Sequence, residues 1–431
     1  MKPLSGISKN IFRLRPDKIG IPRSPFRERI RRCPDMCRGK GLLTFFVFRN
    51  TLLLLFLTSA MCLKAQSPKL SDQAEISVLT LGPFQGEVYS AFGHSAIRVY
   101  DPNLGIDDAY NWGEFDFDQP NFYLNFARGR NNYKLGVYPY DRFRDHYIYY
   151  NRYVHEQKLN LSVHQKQRLY EYVQWNALPE NKSYRYDYFY DNCATKIRDV
   201  MVTVFGDSVK FDGSYIKTEY SIRDLTDLYL KHQPWGDLGI DLGLGLPIDK
   251  KATPYEYMFL PDYIESAFDH ASLNNTPIVK KKISVYESRE EDYPKSLFHP
   301  LTAFILVTVI ALLISVWDVK RKKLSTWFDV LLFGTVGFVG MALFLMWVAT
   351  DHKASANNFN LLWALPTHLV AVIAFIKNPK WLKRYFLITA VISAFTLLLW
   401  PVLPQKLNYF LVPLVMALCL RALMQYRLRI S

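Results

Sequence analysis

The stretch Tyr188-Phe-Tyr-Asp-Asn-Cys193-Ala-Thr-Lys-Ile-Arg-Asp199 decides how the middle of this chain is read. Ile197, Val200, Met201 and Val204 recur at helical spacing and Gly206 follows them. A helix is therefore predicted to begin at Cys193, with Asp191 or Asn192 as its N-cap. Upstream, Tyr184, Tyr186, Tyr188 and Tyr190 alternate as in an extended segment, a pattern that usually reflects packing. A cysteine at a helix start sits where unpaired N–H groups and the helix dipole favour the thiolate. One of those N–H groups can also hold the oxyanion of a tetrahedral intermediate. The bland alternative is a small buried hydrophobe, the commonest role of an unpaired cysteine. The polar Asp191-Asn192 flank weighs against it.

A nucleophilic thiol needs a base. His94 lies in Ala91-Phe-Gly-His-Ser-Ala-Ile-Arg-Val99, directly after a glycine and at the mouth of a predicted strand whose Ile97 and Val99 share a face. A histidine on a strand beside a cysteine-bearing helix is the papain-like arrangement, so His94 is the candidate base. His146, His155 and His164 lie among charged residues and read as surface. Asn111, in Asp108-Ala-Tyr-Asn-Trp-Gly113 on the next predicted strand, is the first candidate for orienting the imidazole; Glu114 and Asp116 stand behind it. Asn192 and Tyr190, which flank the thiol, are candidate substrate-binding residues. Ile76-Ser-Val-Leu-Thr-Leu81 is a further strand, and Ser162 with Gln165 forms a capping-box pattern opening a helix that carries Leu169, Tyr172 and Val173. Residues 234–262, punctuated by glycine and proline, read as loops and short strands. No Cys/His pair in this part has metal-ligand spacing, so no metal and no cofactor is expected.

The charge is +14, but residues 1–50 hold 13 Lys/Arg against 3 Asp/Glu, so most of the surplus sits in the leader. That argues against a nucleic-acid partner, which calls for a basic face on the folded domain. One apolar run covers 41–61. Five more, at about 301–317, 328–349, 359–376, 385–403 and 407–424, approach the roughly 20 residues a bilayer core demands. Lys320–Lys323 follow the first of the five, Lys377, Lys380, Lys383 and Arg384 the third, and Arg421, Arg427 and Arg429 end the chain. The positive-inside rule places those loops in the cytoplasm and residues 66–300 outside it.

Leu52 to Leu57 resembles a signal-peptide h-region, with cleavage after Ala65 or retention as an anchor as the alternatives; Met36 is an alternative start. Cys62 lacks a good lipobox. The expected organisation is a basic leader over 1–65, a periplasmic domain over 66–270, a connector over 271–299, five transmembrane helices over 300–426 and a cytoplasmic tail over 427–431. The other cysteines lie in the leader or, as Cys419, in the last apolar run. Cys193 thus stands alone in an exported domain and has no intrachain disulfide partner there.

Phe92-Gly-His-Ser-Ala-Ile-Arg-Val-Tyr100, Tyr110-Asn-Trp-Gly113, Asn121-Phe122, Asp191-Asn-Cys-Ala-Thr-Lys-Ile-Arg-Asp199, Gly239-Ile-Asp-Leu-Gly-Leu-Gly245 and Phe259-Leu-Pro261 resemble the Lnb N-terminal periplasmic domain. The resemblance covers roughly residues 75–265 and extends into the C-terminal helices. It is a likeness to lipoprotein N-acyltransferases of the Bacteroidota, whose exported domain is similar to circularly permuted NlpC-type and LRAT-like thiol enzymes. It implies an α+β papain-like domain followed by an all-α five-helix bundle in the inner membrane. Cys193 would be the nucleophile and His94 the base. LRAT-like enzymes often use a second histidine as the third group, and none closely follows residues 95–100 here. The implied partners are a phospholipid acyl donor, a diacylated lipoprotein acceptor and membrane lipids.

The loop before the third membrane segment, with His352, Asn358 and Asn360, faces the exported side and is a candidate phosphate or glycerol site, although interfacial solvation explains it as well. His368, inside the third segment, is an intramembrane polar group of the kind that usually has a reason. Two rivals remain. A membrane-anchored cysteine peptidase or amidase acting on cell-wall peptides shares Cys193 and His94 but survives loss of the bundle. A non-enzymatic membrane scaffold does not need the thiol.

Overall fold

The computed structural model describes residues 67–115, 118–290 and 298–429. The leader, with Cys33, Cys37, Cys62, Met36 and the cleavage site after Ala65, lies outside the described residues, as does Asp116.

The strands β1 (Glu75–Leu81), β2 (His94–Asp101), β3 (Ile106–Glu114), β4 (Asn131–Pro139), β5 (Val154–Leu159), β6 (Ser183–Tyr186) and β7 (Val279–Tyr286) form one antiparallel sheet in the order β7-β5-β1-β2-β3-β4-β6. Helices cover both faces. On one, Ile76, Val78, Ile97, Val99, Tyr110 and Trp112 pack against α3 (Val163–Ala177), α4 (Cys193–Phe205) and α7 (Pro261–His270). On the other, Leu79, Leu81, Ala96 and Ala109 meet Tyr140, Phe143 and Tyr147 of α2 (Tyr140–Tyr149). Cover on both sides explains why β1 is buried without a break from Ile76 to Leu81, Ser77 and Thr80 included, rather than on alternate residues.

α3 opens with the Ser162–Gln165 capping box. α4 buries Ile197, Val200, Met201 and Val204 and ends at Gly206. Each such side chain contributes roughly 1.5–3 kcal/mol when fully buried, which fixes the helix on the sheet and with it the position of Cys193. Two expectations need correction. Residues 279–286 are not connector but the edge strand β7, paired with β5. Residues 234–243 are not loop but a helix, α6 (Pro234–Gly243), with proline at its first turn.

Helices α8 (Pro300–Arg321), α9 (Thr326–Ala349), α11 (Trp381–Leu399) and α12 (Val412–Leu428) form the C-terminal part. Four helical segments among the described residues are long and apolar enough to cross a membrane. The expected third crossing is not one continuous helix. It consists of a 3-10 turn at Phe359–Leu362, a break containing Pro366, and the short α10 (His368–Ala374). The segment still passes between the two ends of the bundle: Asn358 Nδ2 bonds Leu242 O at one, Asn378 meets Arg429 at the other. It is broken because Pro366 donates no backbone bond and because its backbone is wedged against α9, where a Cβ on Gly340 would lie 1.9 Å from Ala364 O.

Arg421, counted above with Arg427 and Arg429 among the basic residues that end the chain, does not face water: it is fully buried in α12. There it pairs with Asp329 at 2.7 Å and Asp318 at 2.9 Å and donates to Ser315 Oγ at 3.0 Å, tying α8, α9 and α12 together. In a bilayer such charges persist only when paired in this way.

Candidate functional site

The β2–β3 ladder begins at the pair Ile97–Tyr110, so His94 and Ser95 on β2 pair only with β1, through Leu81 and Thr80. The N-terminus of α4 occupies the space left open on the β3 side. β3 makes room by bulging between Trp112 and Glu114, where Gly113 adopts φ +101°. A Cβ built on Gly113 would lie 3.7 Å from both Cys193 Cβ and His94 Cε1, so the three residues meet at one point. The positive φ and this crowding give the glycine its purpose.

His94 Nε2 is 2.5 Å from Asn111 Oδ1, which leaves Nδ1 as the nitrogen that serves the sulfur. Burial works against charge on both Cys193 and His94. For His94 the Cys193 charge and the bonds to Cys193 and Asn111 outweigh burial, and the imidazole is raised above its ordinary value. For Cys193 the His94 charge and hydrogen bond, with the N–H groups of Ser95 and Ala194, outweigh burial, and the thiol is lowered. Each shift favours the thiolate–imidazolium pair. The Tyr147 ring lies parallel to the imidazole, centroids 6.2 Å apart.

These groups border a cavity of about 260 Å³. One wall is aromatic: Phe115 stacks on Tyr133, and Tyr133 on Tyr186. The other carries Ser90, His146, Tyr147 and Arg152. The hydroxyls of Tyr184 and Tyr188 are buried without a hydrogen-bond partner among the described residues.

The cavity's rim reaches the membrane part on two sides. Val88, next to the lining residue Tyr89, touches α6, where a Cβ on Gly236 would lie 2.9 Å from Val88 Cγ2. Leu238 of α6 belongs to the core of the helical bundle, and Trp235 stacks on Phe298. On the other side Phe115 stacks on Phe122 of α1 (Phe122–Ala127), and Phe126 stacks on Phe122 in turn. α1 exposes Tyr123, Leu124 and Phe126, and His352 Nε2 donates to Phe126 O at 3.1 Å.

The structure thus brings Cys193, His94 and Asn111 together. It gives the other candidates different work. Asn192 lines the cavity, but its amide is committed: Oδ1 accepts from Thr195 N at 2.9 Å, and Nδ2 donates to Tyr188 O at 2.7 Å and Phe259 O at 2.8 Å. It is the N-cap of α4, not a free ligand. Tyr190 is exposed and outside the cavity lining. His352 holds α1. Asn358 and Asn360 are buried and bind Leu242 O and Asp241 O of α6. Glu114 lies beside Lys134, outside the cavity lining. His146 is exposed, as expected of a surface residue, and also borders the cavity; His155 is half-buried against Glu265 at 3.1 Å, and His164 is exposed. His368 Nδ1 meets the Tyr385 hydroxyl at 2.7 Å.

Two residues of the cavity were illegible in the sequence. Arg152 and Tyr147 come from α2 and the turn after it, and only the strand order carries them to His94. The carboxylates of Asp227, Asp237 and Asp241 also gather within 4.8 Å of one another where α5 (Ile222–Leu230) meets α6. Lys406, Asn408 and Arg223 already occupy them.

Residues 69–226 match the Lnb N-terminal periplasmic domain and residues 292–431 the Lnb transmembrane domain. The chain belongs to the Lnb family. No curated protein and no solved structure matches it. As an Lnb member the chain is a membrane protein with a periplasmic part, and the sheet with Cys193 and His94 lies within the segment matched to the periplasmic domain.

Proposed function

We propose that this chain is an inner-membrane lipoprotein N-acyltransferase working through a Cys193 thioester. The observation that carries the reading is the rim of the cavity: the lining residue Tyr89 adjoins Val88, which touches α6 of the bundle core, and the lining residue Phe115 stacks on Phe122 of α1, whose apolar side chains are exposed beside His352. A thiol placed there is offered to lipid rather than to a soluble peptide. The helix-borne cysteine and strand-borne histidine are also what a circularly permuted NlpC/LRAT-like, papain-like domain calls for.

In the first step the Cys193 thiolate attacks the carbonyl carbon of a phospholipid acyl ester. The C–O bond to glycerol breaks, and the departing oxygen takes the proton of the His94 imidazolium. The products are a lysophospholipid and an acyl thioester. The N–H groups of Ser95 and Ala194, which already face the sulfur, are placed to hold the oxyanion. In the second step the α-amino group of a diacylglyceryl-cysteine attacks the thioester carbonyl. His94 takes the amine proton, the C–S bond breaks, and thiolate and imidazolium are restored with an amide formed. Asn111 acts on the imidazole in both steps by accepting from Nε2–H.

The test is complementation of a bacterial strain lacking lipoprotein N-acylation, read by mass spectrometry of a lipoprotein N-terminus. Wild type restores the triacylated form; Cys193→Ser and a chain without residues 298–431 do not. Restoration by Cys193→Ser contradicts the thioester, restoration by the truncated chain shows that the bundle is dispensable, and a wild type that restores nothing returns the reading to an amidase.

A further inference from the structure

Arg152 is 8% exposed and lines the cavity. Its Nε donates to Gly82 O at 2.5 Å and its guanidinium carbon lies 4.6 Å over the Tyr147 ring. Among the described residues no carboxylate pairs with it, and its two terminal nitrogens have no hydrogen-bond partner. Among the described residues, no Asp or Glu lines the cavity. When Cys193 and His94 form their ion pair they cancel, so the cavity keeps the single positive charge of Arg152. Burying a guanidinium without a counter-charge is costly, and here it is done within reach of the reacting sulfur. Arginine suits phosphate in particular, because two N–H groups can engage two oxygens at once.

The position is directional. The sheet order is β5-β1-β2-β3-β4-β6 across the site. Arg152 precedes β5 and binds Gly82 after β1, so it lies to one side of His94 on β2. Phe115, Tyr133 and Tyr186 lie on β3, β4, β6 and their ends, to the other side, and lead by stacking to Phe122 and Phe126. A molecule whose ester sits at Cys193 would have an anionic end toward Arg152 and an apolar end toward the aromatic file.

We propose that Arg152 binds the phosphodiester of the acyl donor, selecting glycerophospholipid over neutral diacylglycerol and orienting its ester on Cys193. This rests on the acyl-transfer reading above. Arg152 is a specificity-determining residue in this account, touching the donor but not the atoms whose bonds change.

The test uses the full-length chain in detergent micelles. The rate of Cys193 thioester formation is read by mass spectrometry with phosphatidylethanolamine and with diacylglycerol of the same acyl chains. Wild type should favour the phospholipid by roughly tenfold or more, the scale of one charge-assisted bidentate contact. Arg152→Gln should bring that ratio close to one, and Arg152→Lys should retain part of it. A wild-type ratio near one, or a wild-type ratio kept by Arg152→Gln, overturns the proposal. Should Arg152→Gln not accumulate, Arg152→Lys and wild-type inhibition decide. Glycerophosphoethanolamine should compete with the phospholipid; inorganic phosphate at equal concentration should not, and equal inhibition by both marks a free-anion site and overturns the headgroup assignment. ³¹P NMR line broadening of glycerophosphoethanolamine by wild type and by Arg152→Lys reads the anion site without acyl transfer. Broadening that depends on Arg152 with no thioester from any donor overturns the acyltransferase reading and leaves the anion site standing.

Discussion

Asn111 Oδ1 and His94 Nε2 are 2.5 Å apart, and this bond sets which imidazole nitrogen faces Cys193. Asn111 carries no charge, so its contribution is orientation and tautomer rather than basicity. Asn111→Ala should lower kcat by roughly 10- to 100-fold, part of what positioned acid–base assistance supplies, while KM for the donor stays near wild type. An unchanged kcat would show that the bond is incidental.

The opposed shifts of Cys193 and His94 predict a thiol that is reactive at neutral pH. The thiolate is lost only as pH falls through the lowered Cys193 value, and the imidazolium is lost as pH rises through the raised His94 value. Both shifts extend the ion pair toward neutral pH from either side. Alkylation of Cys193 by iodoacetamide should stay fast at pH 7, and His94→Ala should move the profile up toward the ordinary thiol value of 9.0. Coincident profiles would dissolve the pair.

Gly113 sits at φ +101° between Cys193 and His94. Gly113→Ala meets its nearest neighbours at an ordinary 3.7 Å, so its cost is backbone strain, about 1–2 kcal/mol. Denaturation of the variant should show that loss. A variant as stable as wild type would mean the bulge relaxes freely.

Asp237 is pushed up to about 7 by burial first and then by Asp241 and Asp227. The folded chain then holds a proton that the unfolded chain releases near 3.8, so this group's contribution to stability declines as pH rises from about 4 to 7 and stays low above that. Asp237→Asn should raise Tm in detergent at pH 8 and match wild type near pH 4. A variant less stable at pH 8 would show that the ionised carboxylate is needed, as the acceptor of the bond from Asn408.

Local signals were legible where local chemistry dominates. The capping box at Ser162, the apolar stripe of α4 and the Gly-His entry to β2 each lie within a few residues. Asn111 followed from its place on the next strand. α6 was missed because Gly236, Gly239 and Gly243 resemble a loop; Gly236 sits where Val88 of the periplasmic sheet domain approaches, a contact distant in sequence. The break in the third crossing depends on Gly340 meeting Ala364 O, and the pairing of Arg421 depends on Asp318 and Asp329, which lie 103 and 92 positions earlier in the chain and meet it only through folding. Arg152 reaches the site because β5 lies beside β1, which no single stretch announces.

The most direct test of the central claim is to incubate the purified full-length chain with a phospholipid carrying a labelled acyl chain, quench in acid, and analyse the Cys193 peptide by mass spectrometry. The account predicts the labelled acyl group on Cys193 in wild type, its discharge when a diacylated lipopeptide with a free α-amine is added, and its absence in Cys193→Ser. Labelled lipopeptide formed by Cys193→Ser at the wild-type rate would contradict it.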